Sequence, residues 1–133
     1  MKKLILALCV VCSFSVNANV WEVNSNNLPI VGNESKDALA IYDSGVIGII
    51  SIERCQMESE TSVIREVNGT AVNFKTLCVA SNERLYPKSK KGNEFILNEF
   101  KTKGKVVIGD MIFSAKGFMS AVKKAEKTEK EAL

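Results

Sequence analysis

Between Cys55 and Cys78 the chain reads CQMESETSVIREVNGTAVNFKTLC, and no other stretch limits the possible fold as tightly. Asn68-Gly69, near its middle, suits the two positive φ angles of a type I′ turn, the two-residue connection whose twist matches that of paired strands. The flanks alternate as strands do. Val63, Arg65 and Val67 share a face of the first arm. Val72, Phe74, Thr76 and Cys78 share a face of the second, with Lys75 and Leu77 opposite. No other cysteine follows the first dozen residues, and such a pair in an oxidising compartment forms a structural disulfide. Closing a loop of about two dozen residues stabilises a fold by roughly 3 kcal/mol on the chain-entropy model. A redox-active pair is the alternative, but reactive pairs sit close together at a helix start, where one thiol pKa falls. The predicted staple therefore lies across a β-hairpin.

The compartment is read from the N-terminus, MKKLILALCVVCSFSVNANVWEV. Lys2 and Lys3 form a positive start, Leu4 to Phe14 is an apolar run too short to span a bilayer, and Val16-Asn17-Ala18 supplies small residues before a cut. Residues 1–18 are predicted to be a signal peptide cleaved after Ala18. Cys9 and Cys12 follow Leu8 and Val11, where lipoprotein processing needs a small residue, so lipidation is not expected. The short Lys-Lys start reads as bacterial and makes the destination periplasmic or secreted. No later stretch is apolar for long enough to form a transmembrane segment in the mature chain. About 115 residues remain, enough for one domain over 19–126, with 127–133 a charged tail expected to fray. A core of that size is modest, which makes a covalent staple useful.

Composition excludes more than it assigns. The chain has no histidine, which removes the commonest general base, the commonest metal ligand and every nucleophile built on a histidine partner. Two cysteines cannot fill a tetrahedral zinc shell, so no metal and no cofactor are expected. Losing Lys2 and Lys3 with the signal leaves basic and acidic residues nearly balanced, so the sequence pI of about 8.7 says little about partners and nucleic acid is disfavoured.

Along the chain, NVWEVNS predicts a first strand and Asn24 to Ser35 a polar loop. ALAIYDSGVIGIISIERC is the strongest β signal, two runs flanking a turn at Asp43-Ser44-Gly45, with Gly48 marking a bulge or a close backbone approach. SNERLYPKSKKGN predicts a charged loop around Pro87. NEFILNEFKTKG reads as a helix capped by Asn93 and stopped at Gly104, with a short strand as the competing reading. KVVIGDMIFSA predicts one strand, or two with a kink at Gly109-Asp110. The last segment forms a helix with Phe118, Val122 and Ala125 on one face, fraying past Ala125. The expected fold is mainly β (α+β): a small antiparallel domain, sandwich-like or a half-barrel, with a C-terminal helix covering one face.

Candidate contact residues are few. Glu58 and Glu60 give the disulfide loop an acidic segment; a carboxylate pair can serve a glycosidase, but nothing in their spacing aims them into a common cleft. Lys88, Lys90 and Lys91 belong to KSKKG, which with KTKGK makes two basic patches able to meet an acidic surface, or simply a solvated one. Tyr86, beside Pro87 in the predicted loop, is the aromatic most expected at the surface, whereas Trp21 is expected in the core. The sequons at Asn33 and Asn68 are read as coincidences in a bacterial chain. No catalytic residue is assigned.

Phe113, Ser114, Lys116, Gly117, Phe118 and Ala121 spell F-S-x-K-G-F-x-x-A, with Gly104 upstream and WEV at Trp21 to Val23. This pattern resembles the invasion-associated locus B family of small exported bacterial proteins, over about a third of the chain. The resemblance implies a β-rich periplasmic or surface domain with a terminal helix packed on the sheet, and no catalytic residues. Physically, the motif reads as a strand-to-helix corner that Gly117 turns and Phe118 and Ala121 dock. The function expected from the whole sequence is non-enzymatic: an exported binding or accessory protein of the envelope with a protein partner, the resemblance to that family implying interaction or host contact. The alternative is an inhibitor of an envelope-degrading enzyme such as lysozyme.

Overall fold

The computed structural model describes residues 20–56 and 60–133; the expected signal peptide and Glu58 lie outside them. In chain order the elements are β1 (Glu22–Val23), β2 (Pro29–Gly32), β3 (Ala38–Asp43), β4 (Val46–Arg54), β5 (Thr61–Val67), β6 (Thr70–Val79), β7 (Asn82–Pro87), α1 (Lys90–Thr102), β8 (Lys105–Ile108), β9 (Met111–Ser114) and α2 (Phe118–Glu131). The strands form one sheet in the order β1-β2-β3-β4-β7-β6-β5-β8-β9, each pair antiparallel. Strands β4 to β7 make a Greek key: β5, β6 and β7 run as a meander that returns to lie beside β4. The sheet curls into a half-barrel until its ends touch, where Asn33 bridges Phe113 and the Glu34 N–H donates to the Ile112 carbonyl at 2.9 Å.

Local chemistry accounts for the turns. Ser44 and Gly45 take φ of 53° and 88° between β3 and β4, and Asn68 and Gly69 take 48° and 90° between β5 and β6, the paired positive angles of the type I′ hairpin. Gly48 marks a close approach: a Cβ there would stand 2.7 Å from Tyr86 Cε1. The neighbour is an aromatic ring rather than backbone, and the irregularity in β4 falls instead between Ile50 and Arg54.

Four expectations need correction. The predicted loop Asn24 to Ser35 contains β2, with Pro29 as its first residue, the strand position that tolerates a missing N–H. The predicted charged loop at 81–93 is β7 followed by the start of α1. It is a central strand whose Leu85 is buried, and its charged neighbours Glu83 and Arg84 hide the pattern. Ser89, not Asn93, caps α1, its Oγ accepting from the Gly92 N–H at 3.0 Å. Asn93 lies inside the helix and ties it to the β3–β4 turn, accepting from the Ile47 N–H at 3.0 Å and donating to the Gly45 carbonyl at 2.8 Å. Finally, α2 stays helical past Ala125 to Glu131, its last turns exposed.

The core fills the inner side of the curl. Helix α1 plugs one end with Ile96 and Phe100, and α2 adds Phe118, Ala121 and Val122. Trp21 is buried, edge-on to Phe100 and Phe118 at 5.2 and 4.9 Å, with its Nε1–H donating to the Ser114 carbonyl at 2.9 Å. Gly117, at φ 83°, turns the β9–α2 corner with Val20 and Trp21 packed against it. WEV and FSAKGF, far apart in sequence, therefore meet and pack in one corner.

Candidate functional site

The end of the half-barrel away from α1 is open. Alternation along each strand decides what faces into it. On β4, Ile47 and Ile49 are buried and Ser51 pairs with the buried Ala38; past it, where the pairing to β7 is irregular, Ile52 and Glu53 both border the cleft. On β7, Leu85 is buried and Glu83 precedes it on that face. On β5, Val67 is buried and Arg65 shares its side. Asp37, from the β2–β3 turn, and Asp110, from the β8–β9 turn, complete the rim. Together these residues line a cleft of about 420 Å³ with Ile52, Leu85 and Met111 in its wall.

Four carboxylates thus surround one guanidinium. Arg65 leans on the β8–β9 turn, where a Cβ added to Gly109 would lie 3.3 Å from its Cδ, and its Nη1 donates to the Ile64 carbonyl at 3.3 Å. Asp37 has one fixed partner, accepting from Asn33 Nδ2 at 2.6 Å. The buried Asn33 also accepts from the Asp37 and Ala38 N–H groups, which sets the turn that aims Asp37. Among the described residues the one ion pair is Lys105–Glu34, 3.4 Å apart and away from this cleft. The mouth therefore keeps an excess of negative charge. No group of three or more His, Cys, Asp or Glu residues is arranged to hold a metal ion among the described residues.

The disulfide borders the same end. Cys55 and Cys78 are joined, Cα to Cα 5.8 Å. Cys55 lies in the crossover between β4 and β5, its N–H donating to the Ser81 carbonyl at 3.1 Å, and Cys78 lies near the end of β6, opposite Glu83 of β7. The bond encloses the β5–β6 hairpin as its sequence implies, but what it pins is the crossover passing the ends of β7 and β6.

The sequence candidates do not gather in one place. Glu60 is exposed just ahead of β5, at the open end. Lys88 is exposed beyond β7 at the plugged end, its Nζ donating to Ser62 Oγ at 2.9 Å, and Lys90 and Lys91 lie exposed in the first turn of α1. KSKKG and KTKGK flank opposite ends of this helix, which at about 1.5 Å per residue separates them by roughly 20 Å. Tyr86 is not a loop residue; it is half-buried on the outer face of β7 over Gly48. The sequence did not bring together Asp37, Glu53, Arg65, Glu83 and Asp110, whose convergence depends on strand order; of the carboxylates only Glu53 stood out, as one near Glu58 and Glu60. The period-two position of Arg65 beside Val63 and Val67 was the other sequence signal. No helix of the described residues is long and apolar enough to cross a membrane. No protein-family model, no curated protein and no solved structure matches this chain.

Proposed function

We propose that this chain is a small, exported, non-enzymatic binding protein of a bacterial envelope, which recognises a cationic surface on a protein partner through the open mouth of its half-barrel. One observation carries the reading: among the described residues, Asp37, Glu53, Glu83 and Asp110 line a cleft in which Arg65 is the only cation and no ion pair forms. Charge arranged this way steers a basic partner and sets its orientation. A disulfide is consistent with export, as are the signal-like N-terminus and the resemblance to small exported proteins. The lack of histidine favours contact over turnover.

A second reading keeps the same mouth and names the partner class: an inhibitor of a basic envelope-degrading enzyme such as lysozyme. The acid-lined cleft favours it, as does Glu60 beside the pinned crossover. The test is titration calorimetry of the purified protein with a basic lysozyme, beside an assay of cell-wall hydrolysis. Glu53→Gln with Glu83→Gln is expected to weaken binding several-fold at low salt, since exposed charge pairs each contribute about 0.2–1 kcal/mol. Equal affinity for the double variant removes the mouth as the contact. Binding without any loss of hydrolysis retires the inhibitor reading and leaves the binding protein.

A further inference from the structure

Strands β3 and β4 read ALAIYD and VIGIISIER, apolar on both faces. An antiparallel sheet with one face in water normally alternates apolar and polar, and strands apolar on both sides belong to sheets covered on both sides. Here the inner side is filled by core and helices, and the outer side is bare. Among the described residues, five of the seven exposed large apolar side chains lie on that outer face: Leu39 at 39 %, Val46 at 43 %, Ile52 at 66 %, Ile64 at 61 % and Val79 at 41 % exposure. Two paired rows cross the middle of this face, the first through Leu39. Leu39, Ile50, Arg84 and Leu77 form one row across β3, β4, β7 and β6. The adjoining row holds Ile41, Gly48 under Tyr86, and Lys75. A shallow hollow of about 510 Å³ opens beside Leu39, Ile50 and Ile52. Contiguous apolar surface of this kind marks an interaction face.

The charge on it selects the partner. Arg84 and Lys75 stand in the two central rows, while Asp43 and Glu66 sit at the margins. Neither cation pairs with a described residue, and Arg84 Nε is buried without a hydrogen-bond partner. A second copy packed face to face would bring these cations together in a drying interface, so the complement is apolar and anionic. The face is the convex outside of a half-barrel. A folded partner would need a matching hollow, whereas lipid headgroups rearrange around a convex surface.

We propose that the outer face of β3, β4, β7 and β6 docks the protein on a membrane surface rich in anionic lipid. Leu39, Ile52 and Val79 enter the headgroup region, and Arg84 and Lys75 meet the phosphates. Docked so, the protein sits on the bilayer by the outer side of the sheet, with Ser51 and Ile52 at the edge shared with the acid-lined cleft.

The test is co-sedimentation of the full chain, as the expressing cell delivers it, with vesicles of mixed phosphatidylglycerol and phosphatidylcholine, and with phosphatidylcholine alone. The N-terminal segment is common to every variant and cannot produce a difference between them. Binding is expected on the anionic vesicles and is expected to fall with salt. Removing charge by Arg84→Gln and Lys75→Gln lowers partitioning roughly fivefold for each cation. Ile52→Ser with Leu39→Ser, at exposed positions that leave the core intact, lowers it as well. Circular dichroism and the intact disulfide check that each variant is folded. Equal partitioning to both vesicle types, or wild-type partitioning by both double variants, overturns the proposal. Absence of partitioning together with a dimer in light scattering that Ile52→Ser breaks would replace it with self-association.

Discussion

Tyr42 shows how a residue that reads as half of an alternating pattern acquires a chemical consequence from its surroundings. Its ring packs edge-on to Phe118 at 5.7 Å. Burial, and secondarily the Glu126 carboxylate on α2, raise its hydroxyl pKa above the ordinary value of 10.0. The unfolded chain then releases this proton at a lower pH than the folded one, so the folded state holds more protons above about pH 10 and stability declines there as pH rises. Tyr42→Phe is expected to flatten that alkaline decline and leave the neutral-pH slope unchanged, as read from denaturant midpoints across the range. An identical alkaline slope in the variant would show that another group titrates. Gly117 belongs to the same scale. Its positive φ was legible as a corner between strand and helix, but the reason no side chain fits, with Val20 and Trp21 against it, needed the N-terminus folded back.

At the scale of elements, Asn68 is the clearest case of a turn residue with a second task. Besides holding φ 48° in the β5–β6 turn, its Nδ2 donates to Glu99 Oε1 of α1 at 2.8 Å and its Oδ1 accepts from the Val107 N–H of β8 at 2.8 Å. Hairpin, helix and the next hairpin are tied at one side chain, and Glu99 can be buried because this amide meets it. Asn68→Gly keeps the turn and deletes the ties. It is expected to cost about 1–3 kcal/mol, the range for leaving buried polar groups unpaired, measured by equilibrium unfolding in urea. A change within error of zero would mean that the turn alone matters. The sequence revealed the turn because Asn-Gly is a local preference. It did not reveal the ties, because Glu99 and Val107 are 31 and 39 residues away.

For the whole molecule the decisive element is the connection from β4 to β5, which must pass the ends of two strands to complete the Greek key. The disulfide fixes it beside the mouth. Replacing both cysteines by alanine is expected to lower stability by roughly 3 kcal/mol and to reduce binding at the mouth by loosening its rim. Guanidinium unfolding checks the first and the lysozyme titration the second. The native protein should weigh two hydrogens less than its reduced form by intact mass. A free-thiol mass in envelope-derived material would remove both the staple and the export argument. Mouth and outer face also divide the charge, carboxylates to the cleft and the cations Arg84 and Lys75 among the apolar residues outside.

What the sequence determined by itself is whatever depends on neighbours along the chain. That includes the two glycine-bearing hairpin turns, the alternation of β3 to β6, the terminal helix with its Gly117 corner, the disulfide pairing and the mainly antiparallel β class, with sandwich and half-barrel both open. Local preferences encode these directly. Tertiary structure alone decided that NERLYP is a central strand, that Asn93 is a tether and Ser89 the cap, and that five charged residues from five separate segments converge on one mouth. Those outcomes depend on strand order and closure, and on which charged side chains the curl turns inward. Such long-range choices leave no period in the sequence to read.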